Sequence, residues 1–251
     1  MIGFLEKGEP FIFERPDAPA AVCCVHGFNA TPYEVRPVGE ALFQSGFHVE
    51  GPAIYGHAIA PAETGCKILH SSTRQQWLDS VRHVALRLKE RFPKVFMVGQ
   101  SLGGLIALHL ASEGIPDAIA TTAAALHLPR SVEWLHFLYR NVDGAVPVKT
   151  GKKTFFNITY ATASFKALSQ LYLLAKETRA RLELVKCPVL AMYSFADDTI
   201  PCQKAAKLIN KKVAAPLEFA WFDNSGHTML LDVQGAEVTR RIVDFFSRII
   251  L

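Results

Sequence analysis

The amino-acid sequence lacks the features that would place the chain across a membrane or direct it to secretion. No hydrophobic run approaches the length of about 18 residues that a transmembrane helix needs, although hydrophobic residues make up 50% of the chain. The first residues, MIGFLEKGEPFIFERP, contain neither a basic segment nor a long apolar segment, so we expect no signal peptide. The mean hydropathy of +0.17 instead indicates a large buried sheet, an apolar pocket or a membrane-facing patch.

The sequence also lacks metal-ligand spacings and the charge of a nucleic-acid-binding protein. Its five cysteines have no C-x-x-C spacing, and Cys23 and Cys24 lie in an apolar run where free buried thiols are expected. An odd number of cysteines without a signal peptide is typical of the reducing cytoplasm. The net charge is only +4, with a weak basic cluster at Lys149, Lys152 and Lys153. We interpret this cluster as a solvated face, with loose attraction to an anionic surface as the alternative.

Internal repeats and low-complexity segments are absent too, and apolar runs alternate with amphipathic stretches along most of the 251 residues. The predicted strands are 10–14, 20–27, 47–52, 94–99, 117–126, 187–194 and 217–222, and the predicted helices are 31–46, 72–92, 103–114, 202–213 and 234–250. This alternation predicts an α/β fold with a mostly parallel sheet and helices on both faces. In such sheets, ligands bind at the carboxyl ends of the strands.

One segment, residues 127–186, breaks the alternation between the predicted strands at 117–126 and 187–194. It contains helical stretches and many aromatic residues: Trp134, Phe137, Tyr139, Phe155, Phe156, Tyr160, Phe165 and Tyr172. Because it interrupts the sheet between two core strands, we interpret it as a helical cap over the carboxyl edge. Residues 1–126 and 187–251 would then form the core. The alternative is a set of ordinary helices packed on that core.

The sequence GQSLG at 99–103 joins a predicted strand to a predicted helix and is the first candidate for a catalytic centre. In this context the pattern G-x-S-x-G is typical of a nucleophile held at a sharp turn. Gly99 and Gly103 are small enough to avoid a clash in that turn. Ser101 would lie at a helix N-terminus, where free N–H groups stabilise a developing negative charge. The alternative is a purely structural bend.

A serine nucleophile needs a base, and the base needs an acid that orients it. Of the nine histidines, His227 follows the last predicted strand in a glycine-containing loop, so we interpret it as the base; a structural loop histidine is the alternative. The acid candidates Asp197 and Asp198 follow the strand at 187–194. The frame D-x-x-I-P favours Asp197, because the proline then begins the next helix. Two alternatives remain: Asp198, as a helix cap or neighbour of the site, and Asp223, which is close to His227 in sequence.

The sequence VHGFNATPYE at 25–34 follows another predicted strand and supplies a candidate for binding the oxyanion. We expect His26 and Gly27 to form a turn. The backbone N–H of Phe28 would then point at a substrate carbonyl, beside the N–H of Leu102. The alternative is an ordinary loop between a strand and a helix.

Together, the segments VHGF, GQSLGG, YSFADDTIP and NSGH resemble the α/β-hydrolase superfamily, and the likeness covers nearly the whole chain. Within that superfamily the chain is most similar to small bacterial carboxylesterases and monoacylglycerol lipases. The resemblance implies an ester hydrolase with a small helical cap and with Phe28 and Leu102 as oxyanion donors. Two segments depart from the pattern: AIAPAE stands where relatives often continue Gly-His-Gly, and residues 127–186 carry no motif that identifies the substrate.

Ser101, Asp197 and His227 occur in the expected order, each after its own strand, and predict a two-step acyl transfer that needs no metal or organic cofactor. An aromatic and aliphatic cap favours a lipophilic monoester as the small-molecule substrate. We expect no nucleic-acid partner and at most peripheral contact with a lipid surface. The alternatives are a thioesterase or C–C bond hydrolase with the same triad, and a ligand-binding protein with negligible turnover.

Overall fold

The computed structural model describes residues 2–139, 141–147 and 156–250, so the basic cluster at Lys149, Lys152 and Lys153 lies outside the described residues. The strands are β1 (Gly3–Phe4), β2 (Phe11–Phe13), β3 (Ala21–Val25), β4 (His48–Gly51), β5 (Ile59–Ala60), β6 (Val95–Gln100), β7 (Ala118–Thr122), β8 (Ala145–Pro147), β9 (Thr162–Ser164), β10 (Val189–Ser194) and β11 (Leu217–Phe222). The helices are α1 (Arg36–Gln44), α2 (Ala62–Ser71), α3 (Arg74–Arg91), α4 (Leu102–Ser112), α5 (Arg130–Tyr139), α6 (Phe165–Arg181), α7 (Cys202–Lys212) and α8 (Gly235–Ile250), with short 3₁₀ helices at Pro32–Val35 and Leu182–Leu184.

Seven strands form the central sheet, in the order β11-β10-β7-β6-β3-β4-β2. Neighbouring strands pair in parallel, except that β2 is antiparallel to β4 at one edge. Every residue of β3 is buried, because this strand lies between two others and both faces of the sheet are covered. The predicted mostly parallel α/β fold is therefore confirmed. The loops after β3, β6, β10 and β11 meet at one edge of this sheet.

The helices next to the sheet are defined by burial and by local capping. Helix α4 is buried from Leu102 to Ala111, since it packs against β6 and β7. Helix α3 begins after Thr73, whose side chain forms a capping box with Gln76. The loop after α1 contains Gly46 at a φ of +98°, a conformation that favours glycine. In the described part of the chain, no helix has both the length and the apolar character to cross a bilayer.

Helix α2 has no counterpart among the predicted elements, because the glycine in its first half weakens the helical signal. The structure gives Gly65 a packing reason. A methyl group at that position would lie 2.1 Å from the hydroxyl oxygen of Tyr160. The predicted strand at 117–126 is shorter than expected: β7 ends at Thr122, and Ala123 has a φ of 47°. The predicted helix at 202–213 starts where expected: α7 begins at Cys202, and Pro201 directly precedes it.

Residues 127–186, hereafter the cap segment, contain α5, β8, β9 and α6, and their two halves differ in environment. Helix α5 is largely exposed, with Trp134 at 82% of its full accessibility. Helix α6, in contrast, contributes Leu171 and Leu174 to the main hydrophobic core and packs against α4. The second half of the segment is thus part of the packed body of the protein. The interpretation of the whole segment as a cap stays a prediction.

Candidate active site

Ser101 occupies the sharp turn between β6 and α4. Its φ and ψ angles are 54° and −106°, in a region that non-glycine residues rarely adopt. Three backbone hydrogen bonds hold this conformation. The Ser101 N–H donates to the carbonyl of Thr122 at 2.9 Å. The Ser101 carbonyl accepts from the N–H groups of Leu105 and Ala125 at 3.1 Å and 3.3 Å. The residue remains 7% exposed. Strain that the surrounding structure maintains in this way is typical of a functional residue.

The two glycines of the turn permit very close backbone contacts. A methyl group on Gly99 would lie 2.3 Å from the carbonyl atoms of Gly103. A methyl group on Gly103 would lie 2.0 Å from the carbonyl oxygen of Val25, the last residue of β3. The glycines therefore allow the start of α4 to lie against the end of the neighbouring strand. This contact brings Ser101 next to the loop that follows β3.

The structure brings Ser101, His227 and Asp197 together in one hydrogen-bonded chain. The Oγ atom of Ser101 lies 2.9 Å from Nε2 of His227, and Nδ1 of His227 lies 2.7 Å from Oδ2 of Asp197. An ionised carboxylate only accepts, so Nδ1 carries the imidazole proton and Nε2 can accept from the serine hydroxyl. The Asp197 side chain is fully buried, whereas the His227 side chain is 18% exposed.

Asp197 remains ionised despite its burial. Burial opposes ionisation, but the His227 imidazole and hydrogen bonds from neighbouring donors together hold the pKa of Asp197 below its ordinary value. These donors are the N–H groups of Thr199 and Ile200, which bond Oδ1 at 2.8 Å and 3.2 Å, and the Cys202 thiol, which bonds Oδ2 at 3.2 Å. The carboxylate is therefore fixed in orientation as well as in charge.

His227 is more basic than an ordinary histidine. Burial alone would lower its pKa, but the charges of Asp197, Glu34 and Asp198 and the hydrogen bond from Nδ1 to Asp197 together raise it. The backbone of His227 is also held, because Nε2 of Gln100 donates to its carbonyl at 2.7 Å. The result is a base that is positioned from both its ring and its main chain.

The loop after β3 presents a rigid turn beside Ser101. The buried His26 ring lies with Nδ1 2.8 Å from the carbonyl oxygen of Gly27, and its Nε2 accepts from the N–H of Ile54 at 3.1 Å. The Gly27 carbonyl and the Phe28 N–H belong to one planar peptide, so the bond from His26 also sets the direction of that N–H. The Gly27 N–H in turn donates to Oε2 of Glu34 at 2.6 Å. Leu102, the second predicted donor, is the first residue of α4.

The alternative acids do not contact the imidazole in the way that Asp197 does. Asp198 is exposed, and its Oδ1 accepts from the hydroxyl of Thr199 at 3.4 Å. Asp223 is exposed on the loop after β11. Three residues that contact the site were not among the sequence candidates: Glu34, Gln100 and Cys202. Glu34 is buried together with Pro32 and Val35 in its 3₁₀ helix, and no local sequence pattern indicates this burial.

As an arrangement of atoms, the site can transfer a proton from a serine hydroxyl to an imidazole while a buried carboxylate stabilises the resulting cation. Ser101 is followed directly by the first residue of α4, and the Gly27 turn after β3 lies against its Cβ atom. This combination suits attack on a carbonyl carbon and stabilisation of a tetrahedral oxyanion.

Comparisons with known proteins give one family and several relatives. A family described as serine aminopeptidase, S33, matches residues 16–153. The chain is 28% identical to a thermostable monoacylglycerol lipase of Bacillus sp. (strain H-257), with 97% of this chain and 96% of that protein covered. It is 23% identical to a carboxylesterase of Bacillus subtilis (strain 168), with 96% and 97% covered. The solved structure of one of the metagenome-derived lipolytic enzymes LipS and LipT shares the fold, with a TM-score of 0.89, 22% identity, and 98% of this chain and 100% of that chain covered.

Proposed function

The chain belongs to the serine aminopeptidase, S33, family of hydrolases, and from that premise we propose that it is a serine carboxylic ester hydrolase acting on a lipophilic monoester. The observation that carries the proposal is the hydrogen-bonded chain from Ser101 through His227 to the buried Asp197. The similarity of nearly the whole chain to a monoacylglycerol lipase and a carboxylesterase supports ester chemistry.

The reaction proceeds by two acyl transfers. Nε2 of His227 takes the proton of Ser101 as Oγ attacks the ester carbonyl, and Asp197 stabilises the imidazolium that forms. The N–H groups of Phe28 and Leu102 donate to the oxyanion of the tetrahedral intermediate. His227 then protonates the leaving alcohol, and an acyl group remains on Ser101. Water, deprotonated by His227, releases the acid by the same path and restores the serine.

The lipophilic character of the substrate rests on the cap segment and on the relatives. Helix α5 exposes Trp134, Phe137 and Leu138, and Phe156 is exposed farther along the segment. We propose that these side chains line the entrance of the site, where they would favour an apolar acyl chain. The proposal includes peripheral contact of these residues with a lipid surface. It also includes a cytoplasmic location, because the five free cysteines fit a reducing compartment.

Hydrolysis of a p-nitrophenyl ester series from acetate to palmitate tests the proposed function, with 1-monoacylglycerols of the same chain lengths as a second set. We expect turnover of esters with medium or long acyl chains, and its loss in Ser101→Ala. Ser45→Ala, on the exposed end of α1, is the matched control and should retain activity. A folded wild-type protein that hydrolyses none of these esters would refute the proposal.

The family description favours peptide hydrolysis as a second candidate function. The same triad can attack an amide, because a fold does not by itself determine the chemistry of its site. Aminoacyl p-nitroanilides distinguish the two functions in the same assay. Cleavage of anilides with a free amino group at a higher kcat/KM than that of any ester would replace the esterase proposal with the peptidase function. Acyl-CoA substrates in the same panel test thioester hydrolysis.

A further inference from the structure

Glu34 is a buried carboxylate beside the proposed nucleophile, and the mechanism above makes no use of it. Its side chain lies in the 3₁₀ helix Pro32–Val35, and the residue is only 4% exposed. A methyl group on Gly27 would lie 2.9 Å from Oε2 of Glu34 and 3.5 Å from the Cβ atom of Ser101. The carboxylate, the turn and the serine are therefore neighbours. Burying a charged carboxylate is costly, so its hydrogen bonds at this position call for a functional explanation.

The first of these bonds acts on the turn. The Gly27 N–H donates to Oε2 at 2.6 Å, a short bond of the strong, charge-assisted kind. The carbonyl of the same residue is 2.8 Å from Nδ1 of His26. The two peptide groups of Gly27 are thus held by different side chains, Glu34 on one side and His26 on the other. Together they determine where the Phe28 N–H points.

The second bond joins the turn to the cap segment. Nδ2 of Asn157 donates to Oε1 of Glu34 at 3.1 Å. Two further contacts run alongside it: Nδ2 of Asn29 donates to the carbonyl of Tyr160 at 2.9 Å, and the rings of Tyr33 and Phe156 meet edge to face, with centroids 5.9 Å apart. The stretch of the cap segment from 156 to 160 therefore lies directly on the loop that carries Phe28.

We propose that Glu34 is a positioning residue of the active site: its carboxylate holds the Gly27–Phe28 turn in the orientation that presents the oxyanion donor, couples that turn to the cap segment through Asn157, and adds a buried negative charge that acts on the imidazole of His227 through space. This proposal rests on the proposed function for its kinetic consequence, but its structural consequences can be measured without turnover.

The charge has a defined consequence for the base. The groups that face His227 among the described residues are Asp197, which bonds Nδ1 directly, and the carboxylates of Glu34 and Asp198, which act through space. All three stabilise the imidazolium and raise the pKa of His227. The imidazolium is also the form that exists while the oxyanion is present, so the Glu34 charge stabilises the transition state.

The variant Glu34→Gln tests the charge, because it keeps the size and shape of the side chain. Glu40→Gln is the matched control: it removes the same charge from an exposed position of the adjoining helix α1. Titration of isotope-labelled histidine by NMR reports the pKa of His227 in each protein. We expect this pKa to fall in Glu34→Gln and to stay at the wild-type value in Glu40→Gln. In ester hydrolysis, Glu34→Gln should lower kcat about 10-fold with KM changed less than about twofold, because the lost interaction acts in the transition state.

Amide hydrogen exchange at Gly27 tests the hold on the turn. A neutral amide is a weaker acceptor than a carboxylate, so exchange should be faster in Glu34→Gln than in Glu40→Gln. Asn157→Ala is a second variant that leaves the carboxylate in place, and its half-buried position makes it tolerant of substitution. It should also accelerate exchange at Gly27. The proposal would be overturned if folded Glu34→Gln matched the Glu40→Gln control both in exchange at Gly27 and in the pKa of His227. Unchanged exchange in Asn157→Ala would overturn it as well.

The two proposals fail in different ways. A wild-type protein that hydrolyses no ester refutes the proposed function, while the histidine titration and the amide exchange still decide the role of Glu34. A wild-type protein that hydrolyses esters, with a Glu34→Gln variant identical to Glu40→Gln in kcat, pKa and exchange, refutes the role of Glu34 alone.

Discussion

The Sγ atom of Cys202 lies 3.2 Å from Oδ2 of Asp197, the carboxylate oxygen that also bonds the imidazole of His227. Burial and the nearby charge of Asp197 raise the pKa of this thiol, so it stays protonated and donates. Cys202 is the first residue of α7, so this helix helps to hold the carboxylate of Asp197 in position.

Replacement of Cys202 by alanine should remove one of the hydrogen bonds that orient the Asp197 carboxylate and leave the others in place. A thiol is a weak donor, and the loss of one such bond is worth about 1 kcal/mol, so we expect kcat to fall about fivefold. Cys202→Ser retains a donor and should lose less. Cys187→Ala is the control, since that cysteine is free and lies before β10, away from the acid. Kinetics on one p-nitrophenyl ester check this, and equal kcat values in Cys202→Ala and Cys187→Ala would contradict it.

Asp197 and Asp198 should differ sharply in their contribution to kcat. Asp197→Asn removes the charge that stabilises the imidazolium and changes the tautomer of His227, so we expect a loss of about 10⁴-fold in kcat. Asp198→Asn removes an exposed charge and should change kcat less than about threefold. Circular dichroism of both variants establishes that they fold. The assignment of the acid would be wrong if the two variants lost activity to the same degree.

The pH dependence of kcat/KM should follow His227. The base must be neutral to accept the serine proton, so activity rises with pH through the pKa of this imidazole. Because its carboxylate neighbours raise that pKa, the acid limb should lie above the ordinary histidine value of about 6.5. Asp197 has a lowered pKa and stays ionised through this range. A pH–rate profile from pH 5 to 9 measures the limb, and a limb below about 6.5 would argue against His227 as the base.

Stability should fall in mild acid because of two buried histidines. Burial lowers the pKa of His26 to about 3 and that of His57 to about 4, whereas both are near 6.5 in an unfolded chain. Below pH 6.5 the unfolded chain binds protons that the folded protein does not, so stability is lost as the pH falls towards these folded values. At pH 5 the two groups together should lower the free energy of unfolding by about 4 kcal/mol relative to neutral pH.

Urea unfolding at pH 7.5 and pH 5 measures this loss in the wild type and in His57→Phe. The phenylalanine can pack in the same aromatic cluster, between Phe28 and Trp77, and does not titrate. The variant should therefore lose about 2 kcal/mol less than the wild type on acidification. His83→Gln, at an exposed position of α3, should behave as the wild type does. An equal pH dependence in all three proteins would show that His57 does not contribute.

The site candidates were predictable because of sheet geometry. In a parallel sheet the loops after successive strands meet at one edge, so Ser101, Asp197 and His227, each after its own apolar strand, are expected to be neighbours. The resemblance to α/β-hydrolases, which rests on the same segments, is confirmed by the family match and by the relatives. The catalytic roles of these residues and of Phe28 and Leu102 stay predictions.

Other contacts could not be predicted, because they depend on packing between segments that are far apart in the chain. Gln100 reaches across 127 positions to the carbonyl of His227, and Asn157 reaches across 123 positions to Glu34. Neither pair has a spacing that a local pattern could reveal. The packing of α6 on the core is a similar case: its Leu171 and Leu174 look alike in sequence whether they line a cap or a core.

Intact-mass analysis after incubation with a fluorophosphonate shows whether Ser101 is an activated nucleophile. We expect one covalent adduct per chain, mapped to Ser101 by peptide sequencing. It should be absent in Ser101→Ala and form much more slowly in His227→Ala. A folded wild-type protein that forms no adduct, or an adduct on another residue that persists in Ser101→Ala, would contradict this expectation.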